Sequence, residues 1–209
     1  MLPRLLLILL VISLAGCSSR PPVVVAAPPS EYLPAEGDLL FQSFPHSALT
    51  DMIEGCTKSP LSHCGVMVNR KGAWKVIEAV GPVKETVLAD WIERGRGGGF
   101  VVYRLRAPLD QQALRIVAAA KVYEGKPYDP HYDLDDARIY CSELLWKATR
   151  DATGTELGKL QTLGELNWKP YEKEIRSLED GALPLDRKMI TPQALTEDSR
   201  LVEVYRKRM

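Results

Sequence analysis

Four cysteines and three histidines set much of the chemistry this chain has to offer. A thiol attacks a carbonyl carbon only as thiolate, and its pKa falls beside an imidazolium or at a helix N-terminus, where unpaired N–H groups favour negative charge. Cys141 is the best placed for both. It opens, or nearly opens, the segment Cys141-Ser-Glu-Leu-Leu-Trp-Lys-Ala148, in which Cys141, Leu144, Leu145 and Ala148 share one helical face and turn the thiol toward the core. The upstream Asp133-Leu-Asp-Asp136 holds carboxylates able to cap an earlier start, and a helix begun at Asp136 would remove most of that advantage. On spacing alone, a cysteine on an apolar helix face is more often core than nucleophile.

The base to match it is His63, placed where a strand leaves a Ser- and Pro-rich loop. The next β-rich run carries Glu78 between Ile77 and Ala79. If His63, Gly65 and Met67 face one side, the paired strand can set Glu78 beside the imidazole, orienting it and stabilising its charged form. Read without a partner, Glu78 is a solvent-facing residue and His63 a loop-edge histidine. His46 and His131 compete as bases, but His131 lies in a Tyr-Asp-Pro-His-Tyr loop and lacks the strand setting. A zinc site from Cys56, His63, Cys64 and His131 lacks a paired C-x-x-C knuckle, and neighbours 63 and 64 point oppositely on a strand. Neither metal nor other cofactor is expected. The cluster Arg94-Gly-Arg-Gly-Gly-Gly99 lacks the Gly-Lys-Ser/Thr ending of a phosphate loop and reads as a flexible connection.

The elements that must hold these residues follow from periodicity and turn chemistry. Glu36 to Gln42 reads as a turn and a first strand, and Pro45 to Pro60 as loop with one short helix over Ser47 to Ile53. Ser62 to Val68 and Trp74 to Val80 flank the turn cluster Asn69-Arg-Lys-Gly72 and predict an antiparallel hairpin. Phe100 to Leu105 is a further strand. From Asp110 the period becomes helical through Ala113, Ile116, Val117, Ala120 and Tyr123, ended by Gly125 and Pro127. Further helices are predicted over Glu156 to Leu166 and Tyr171 to Leu178, and a closing strand over Leu201 to Tyr205. The sum is α+β: a small antiparallel sheet or barrel with packed helices.

The N-terminal segment is a different kind of sequence. Leu5 to Ile12 is an apolar run behind Arg4, too short to span a bilayer. It ends in Leu14-Ala15-Gly16-Cys17, which resembles a bacterial lipobox. Residues 1–16 are thus expected to be a lipoprotein signal peptide, with Cys17 the lipidated N-terminus of the mature chain. Ser18 directs such a protein to the outer membrane, where lipid chains and not a protein helix would hold it, facing the periplasm. Residues 17–34 are rich in Pro and small side chains and read as a tether, and residues 35–209 as one folded domain. With Cys17 lipidated, Cys56, Cys64 and Cys141 are an odd number in a compartment that permits disulfides, and sequence does not choose among the three pairings. The 27 basic residues balance 27 acidic ones, which leaves no basic face for nucleic acid. The 45% hydrophobic content argues against disorder. Oligomeric state is not legible.

Gly37-Asp-Leu-Leu-Phe41, Ser62-His-Cys-Gly65, Val76-Ile-Glu-Ala79, Gly125-Lys-Pro-Tyr-Asp129, Tyr140-Cys-Ser-Glu-Leu-Leu145 and Ile190-Thr-Pro-Gln-Ala-Leu195 occur in an order that resembles the permuted papain-like amidases, the YaeF/YiiX-like branch of the NlpC-type cysteine hydrolases. In papain-like enzymes the nucleophile's helix comes first. Here, as in the permuted branch, the His-bearing strand precedes it. The resemblance implies Cys141 as nucleophile, His63 as general base and then acid, and Glu78 as the residue fixing the imidazole. Tyr128 and Tyr140 would flank the cleft as substrate-binding candidates. It also implies hydrolysis of an amide bond through a thioester. Envelope anchoring puts peptidoglycan peptides and acyl lipids within reach as substrates. A lipid acyltransferase or N-acyl lipid amidase is one alternative, and a non-catalytic ligand-binding lipoprotein another.

Overall fold

The computed structural model describes residues 32–209. The expected signal peptide, the expected lipidation site Cys17, Ser18 and the expected tether up to residue 31 lie outside the described residues.

Six strands form one antiparallel sheet: β1 (Leu39–Gln42), β2 (His63–Arg70), β3 (Ala73–Ala79), β4 (Val83–Val87), β5 (Phe100–Leu105) and, closing it, the last strand of the chain, Leu201–Lys207. That last strand is β8 in chain order, because the two-residue strands β6 (Gln161–Thr162) and β7 (Lys188–Met189) pair separately. Across the sheet the order is β4-β3-β2-β1-β5-β8. The short β1 is central, which is why all four of its residues are buried. Beside it, β2 and β3 form a tight hairpin that pairs Val66 with Ile77 and Arg70 with Ala73, as the turn cluster at 69–72 predicts.

Alternation along the strands gives the sheet two covered faces. On one, Leu39, Phe41, Cys64, Val66 and Val101 pack with Ile116, Val117 and Ala120 of α3 (Ala113–Val122) and Leu144, Leu145 and Ala148 of α4 (Cys141–Thr153). On the other, Leu40, Met67, Val76 and Val102 pack with Leu88 and Trp91 of α2 (Leu88–Arg94), and with Tyr32. The folded unit therefore begins ahead of the expected boundary at Ala35: Tyr32 is buried and stacks on Tyr205 with ring centroids 5.1 Å apart.

Other sequence expectations are revised. The short helix runs further, as α1 (Ala48–Thr57), capped by Ser47, whose side chain accepts the Thr50 N–H. Glu156 to Leu166 is not a helix. Gly158 adopts φ 71°, and a Cβ there would lie 2.8 Å from the Ala194 carbonyl oxygen, so the chain bends away after α4 and forms only β6 and one 3-10 turn over Leu163–Glu165. β4 and α2 were not foreseen at all. Two short helices complete the set: α5 (Glu172–Leu178), close to its predicted span, and the unforeseen α6 (Pro192–Thr196).

The segment 94–99 is braced, not loose. Arg96 donates to both oxygens of Glu54 on α1 at 3.0 Å, and its N–H to the Ser43 carbonyl at 2.7 Å. Cys56, Cys64 and Cys141 are all free thiols.

Asp38, ahead of β1, ties three parts of the chain together. Its fully buried carboxylate accepts from Tyr32 Oη at 2.6 Å, the Ala35 N–H at 2.8 Å, and Arg104 Nε and a terminal nitrogen at 2.7 and 2.9 Å. Removing one partner of a buried charged cluster strands the others. Asp38→Ala is expected to lower the free energy of unfolding by about 3 kcal/mol, read from the urea midpoint; an unchanged midpoint would refute the role given to this carboxylate.

Candidate active site

α4 begins at Cys141 and not at Asp136. Tyr140 is its N-cap residue in extended conformation, and the Glu143 carboxylate reaches back to accept the Tyr140 N–H at 3.2 Å. Glu143 is in turn paired with Lys147 at 2.9 Å. The upstream acids serve elsewhere: Asp135 accepts the Ala137 and Arg138 N–H groups, and Asp136 meets Lys147 at 2.8 Å. Cys141 therefore occupies the first helical position, where backbone N–H groups lack intrahelical acceptors and the helix dipole favours a thiolate.

β2 delivers His63 to the same place. Continuing the register from Val66 and Ile77 puts Gly65 opposite Glu78, with His63 diagonal to it on the same face. Gly65 is required for this approach, because a methyl group there would lie 2.4 Å from a Val76 methyl and 2.8 Å from the Ile77 carbonyl oxygen. His63 Nε2 and Glu78 Oε2 are 2.5 Å apart, with the two residues 2% and 0% exposed. That contact occupies Nε2, and the Cys141 thiol lies close enough to the imidazole for each group to shift the other's pKa. The Phe44 ring stacks on the imidazole at 4.2 Å between centroids.

The charges follow from these contacts. Burial works to raise the Glu78 pKa, but the bonds from His63, Arg94 and Thr86 overcome it and bring the carboxyl down to about 2. Thr86 Oγ1 donates to Oε1 at 2.5 Å, and Arg94 donates to Oε2. For His63, burial disfavours the imidazolium, yet the Cys141 and Glu78 contacts raise its pKa. The Cys141 thiol falls well below the ordinary cysteine value, first through the hydrogen bond from Cys64, then, against burial, through His63. Cys64 moves the opposite way, held protonated by burial and by its bond to Cys141. These shifts favour a thiolate at Cys141 beside the His63 imidazole.

Of the sequence candidates, Cys141, His63 and Glu78 come together. His46 pairs with Asp51 at 2.6 Å on the exposed surface, and His131 with Glu179 at 3.3 Å. Tyr128 is half-buried in the cleft wall beside His63. Tyr140 is fully buried and its hydroxyl accepts the Ile190 N–H at 3.0 Å, so it supports the site from behind. Sequence reasoning missed four contributors: Cys64, Phe44, Arg94 and Thr86. Only Arg94 left a trace, since Leu88, Trp91 and Ile92 ahead of it have helical spacing.

Two clefts meet at this centre. One, about 660 Å³ including its open mouth, is lined by Cys141 and by Met52, Ile53, Leu163, Ile175 and Met189. The other, about 620 Å³, is lined by His63, Phe44, Leu49, Val80 and Tyr128. Among the described residues no cluster of three or more His, Cys, Asp or Glu side chains is arranged to hold a metal ion.

The permuted papain-like amidase enzyme family, YaeF/YiiX, C92, matches residues 33–205. The uncharacterised protein YiiX of Escherichia coli (strain K12) is 35% identical over 185 residues, spanning 87% of this chain and 91% of its own length. A crystal structure described as metalloprotein yiiX from Escherichia coli O157:H7 superposes with a TM-score of 0.80 at 35% identity, covering 85% of this chain and 100% of that one. The mixed fold with its antiparallel sheet, the His-before-Cys order and the match over most of the chain agree: this protein belongs to the permuted papain-like amidase family of cysteine hydrolases.

Proposed function

We propose that the chain cleaves an acyl bond through a thioester on Cys141, with His63 as base and then acid and Glu78 holding the imidazole. The observation that supports this most is one imidazole bonded at Nε2 to a buried carboxylate while also reaching the thiol that opens α4. In this reading the Cys141 thiolate attacks a carbonyl carbon, and the carbonyl oxygen collects charge beside the Cys141 N–H at the helix start. His63 passes its proton to the leaving nitrogen as the C–N bond breaks, then takes one from the water that hydrolyses the thioester. The segment Leu14 to Cys17 supports a further part of the reading, in which lipid on Cys17 keeps the enzyme at the outer membrane.

Burst kinetics with p-nitrophenyl acetate test the thioester. One equivalent of p-nitrophenolate is expected, with an acetyl group on Cys141 that hydroxylamine removes and Cys141→Ser abolishes. No burst and no adduct would leave a ligand-binding protein as the better description.

The pH dependence tests Glu78. The ion pair exists above the lowered Cys141 pKa and below the raised His63 pKa, so kcat/KM is expected to be bell-shaped between them. In Glu78→Gln the imidazolium loses its carboxylate and titrates lower. The alkaline limb moves to lower pH and kcat/KM falls by about a hundredfold. An unmoved alkaline limb would contradict the role given to Glu78.

A further inference from the structure

The two oxygens of Glu78 are used differently. Oε1 accepts from Thr86 Oγ1 at 2.5 Å. Oε2 is shared by His63 Nε2, at 2.5 Å, and a terminal nitrogen of Arg94. Arg96, two residues on, makes the contrasting contact, reaching both oxygens of Glu54 at 3.0 Å. An arginine that only braced a carboxylate would gain most by engaging both oxygens. Arg94 ends instead on the one atom that also holds the imidazole, and its Nε meets no acceptor among the described residues.

That placement sets a cation one oxygen away from the base. A buried carboxylate shared with nothing else would hold the imidazolium tightly, and a base that does not give up its proton serves neither the leaving group nor the incoming water. A guanidinium on the same oxygen takes part of that charge and repels the imidazolium. Arg94 also has a second hold on the ring: its guanidinium carbon lies 5.3 Å from the centre of Phe44, which stacks on the imidazole. Among the described residues, the other groups around the pair do not take this role. Lys84, opposite Glu78 in the β3–β4 register, is exposed. Gln42, opposite His63 on β1, carries no charge. Arg96 is committed to Glu54, and α4 and β2 contribute the thiols of Cys141 and Cys64.

We propose that Arg94 is a positioning residue for the base: acting through Glu78 Oε2, it keeps the His63 imidazolium able to release its proton. This rests on His63 serving Cys141 in the proposed mechanism.

The test uses the full chain, with Arg94→Met removing the cation and Arg94→Lys keeping it. The His63 imidazole is titrated by NMR, which needs no turnover, and acetylation by p-nitrophenyl acetate is followed beside it. In that reaction the Sγ–acetyl bond forms as the ester C–O bond breaks; p-nitrophenolate leaves without needing a proton, and water with His63 as base then frees acetate. In Arg94→Met the imidazole is expected to titrate at higher pH than in the wild type, opposite in direction to Glu78→Gln. The burst is expected to persist, while hydrolysis of the acetyl thioester slows about tenfold at neutral pH and recovers as pH is raised. Arg94→Lys is expected to return both readouts toward wild type. Because the effect runs through Glu78, adding Arg94→Met to Glu78→Gln is expected to change the hydrolysis rate by less than about threefold. If Arg94→Met does not fold, Arg94→Gln, uncharged but still a donor to Oε2, is read in the same way. An imidazole titration that stays in place or moves down when the charge is removed, or a full tenfold loss in the Glu78→Gln background, would overturn the role of Arg94. The expected titration shift in a chain whose Cys141 is never acetylated would bear out the hold of Arg94 on His63 and overturn the thioester mechanism instead.

Discussion

A carboxylate with no access to water is the constraint around which this site is built. Burying Glu78 as an anion is costly unless charge and hydrogen bonds replace its solvent, and each replacement recruits a different part of the chain. His63 comes from the neighbouring strand, Thr86 from the edge strand β4, and Arg94 from the end of α2. Arg94 also lies 5.3 Å from the centre of the Phe44 ring, the ring that stacks on His63. The imidazole is thereby fixed in tilt, position and charge by groups that would themselves be unpaired without Glu78.

The second requirement is to bring a helix N-terminus to the end of β2, and the permuted order achieves it by packing α4 across one face of the sheet while the His63–Glu78 pair sits on the other. At the strand's first residue the two faces meet. This explains how neighbours His63 and Cys64, which alternation sends to opposite faces, both engage Cys141. Cys64 approaches from the α4 face and His63 from the α2 face, and both lower the Cys141 pKa. Cys56, on the cleft wall, has its pKa pushed up to about 11 by burial alone. Environment thus raises the pKa of Cys56 and Cys64 and lowers that of Cys141.

Much of this was legible in the sequence because strong local signals carried it. The turn residues at 69–72 gave the hairpin, and alternation along it set Glu78 on the face of His63. The apolar spacing of Leu144, Leu145 and Ala148 oriented Cys141. What escaped was set by tertiary contact. β4, Val-Lys-Glu-Thr-Val, is an edge strand with polar residues at its centre, and α2 has only seven residues. Neither shows a long period, yet they supply Thr86 and Arg94. The glycine cluster after Arg94 looked loose because nothing local shows that Arg96 is paired with Glu54. Alternation counts against His63 and Cys64 as joint zinc ligands and gives no sign that both come near Cys141 at the strand's end. The extra helix expected over Glu156 to Leu166 followed from composition, and Gly158 overrides it.

Whether Cys141 is a thiolate held by His63 is read most directly from alkylation. The full wild-type chain and His63→Ala are treated with iodoacetamide across a range of pH, and the modification of Cys141 is followed by peptide mass spectrometry, which separates it from Cys56 and Cys64. In the wild type, Cys141 is predicted to titrate well below the free-cysteine value of about 8.5, and in His63→Ala its profile is predicted to move upward. An unreactive Cys141, or one with the same pH profile in both proteins, would contradict the ion pair on which the proposed mechanism depends.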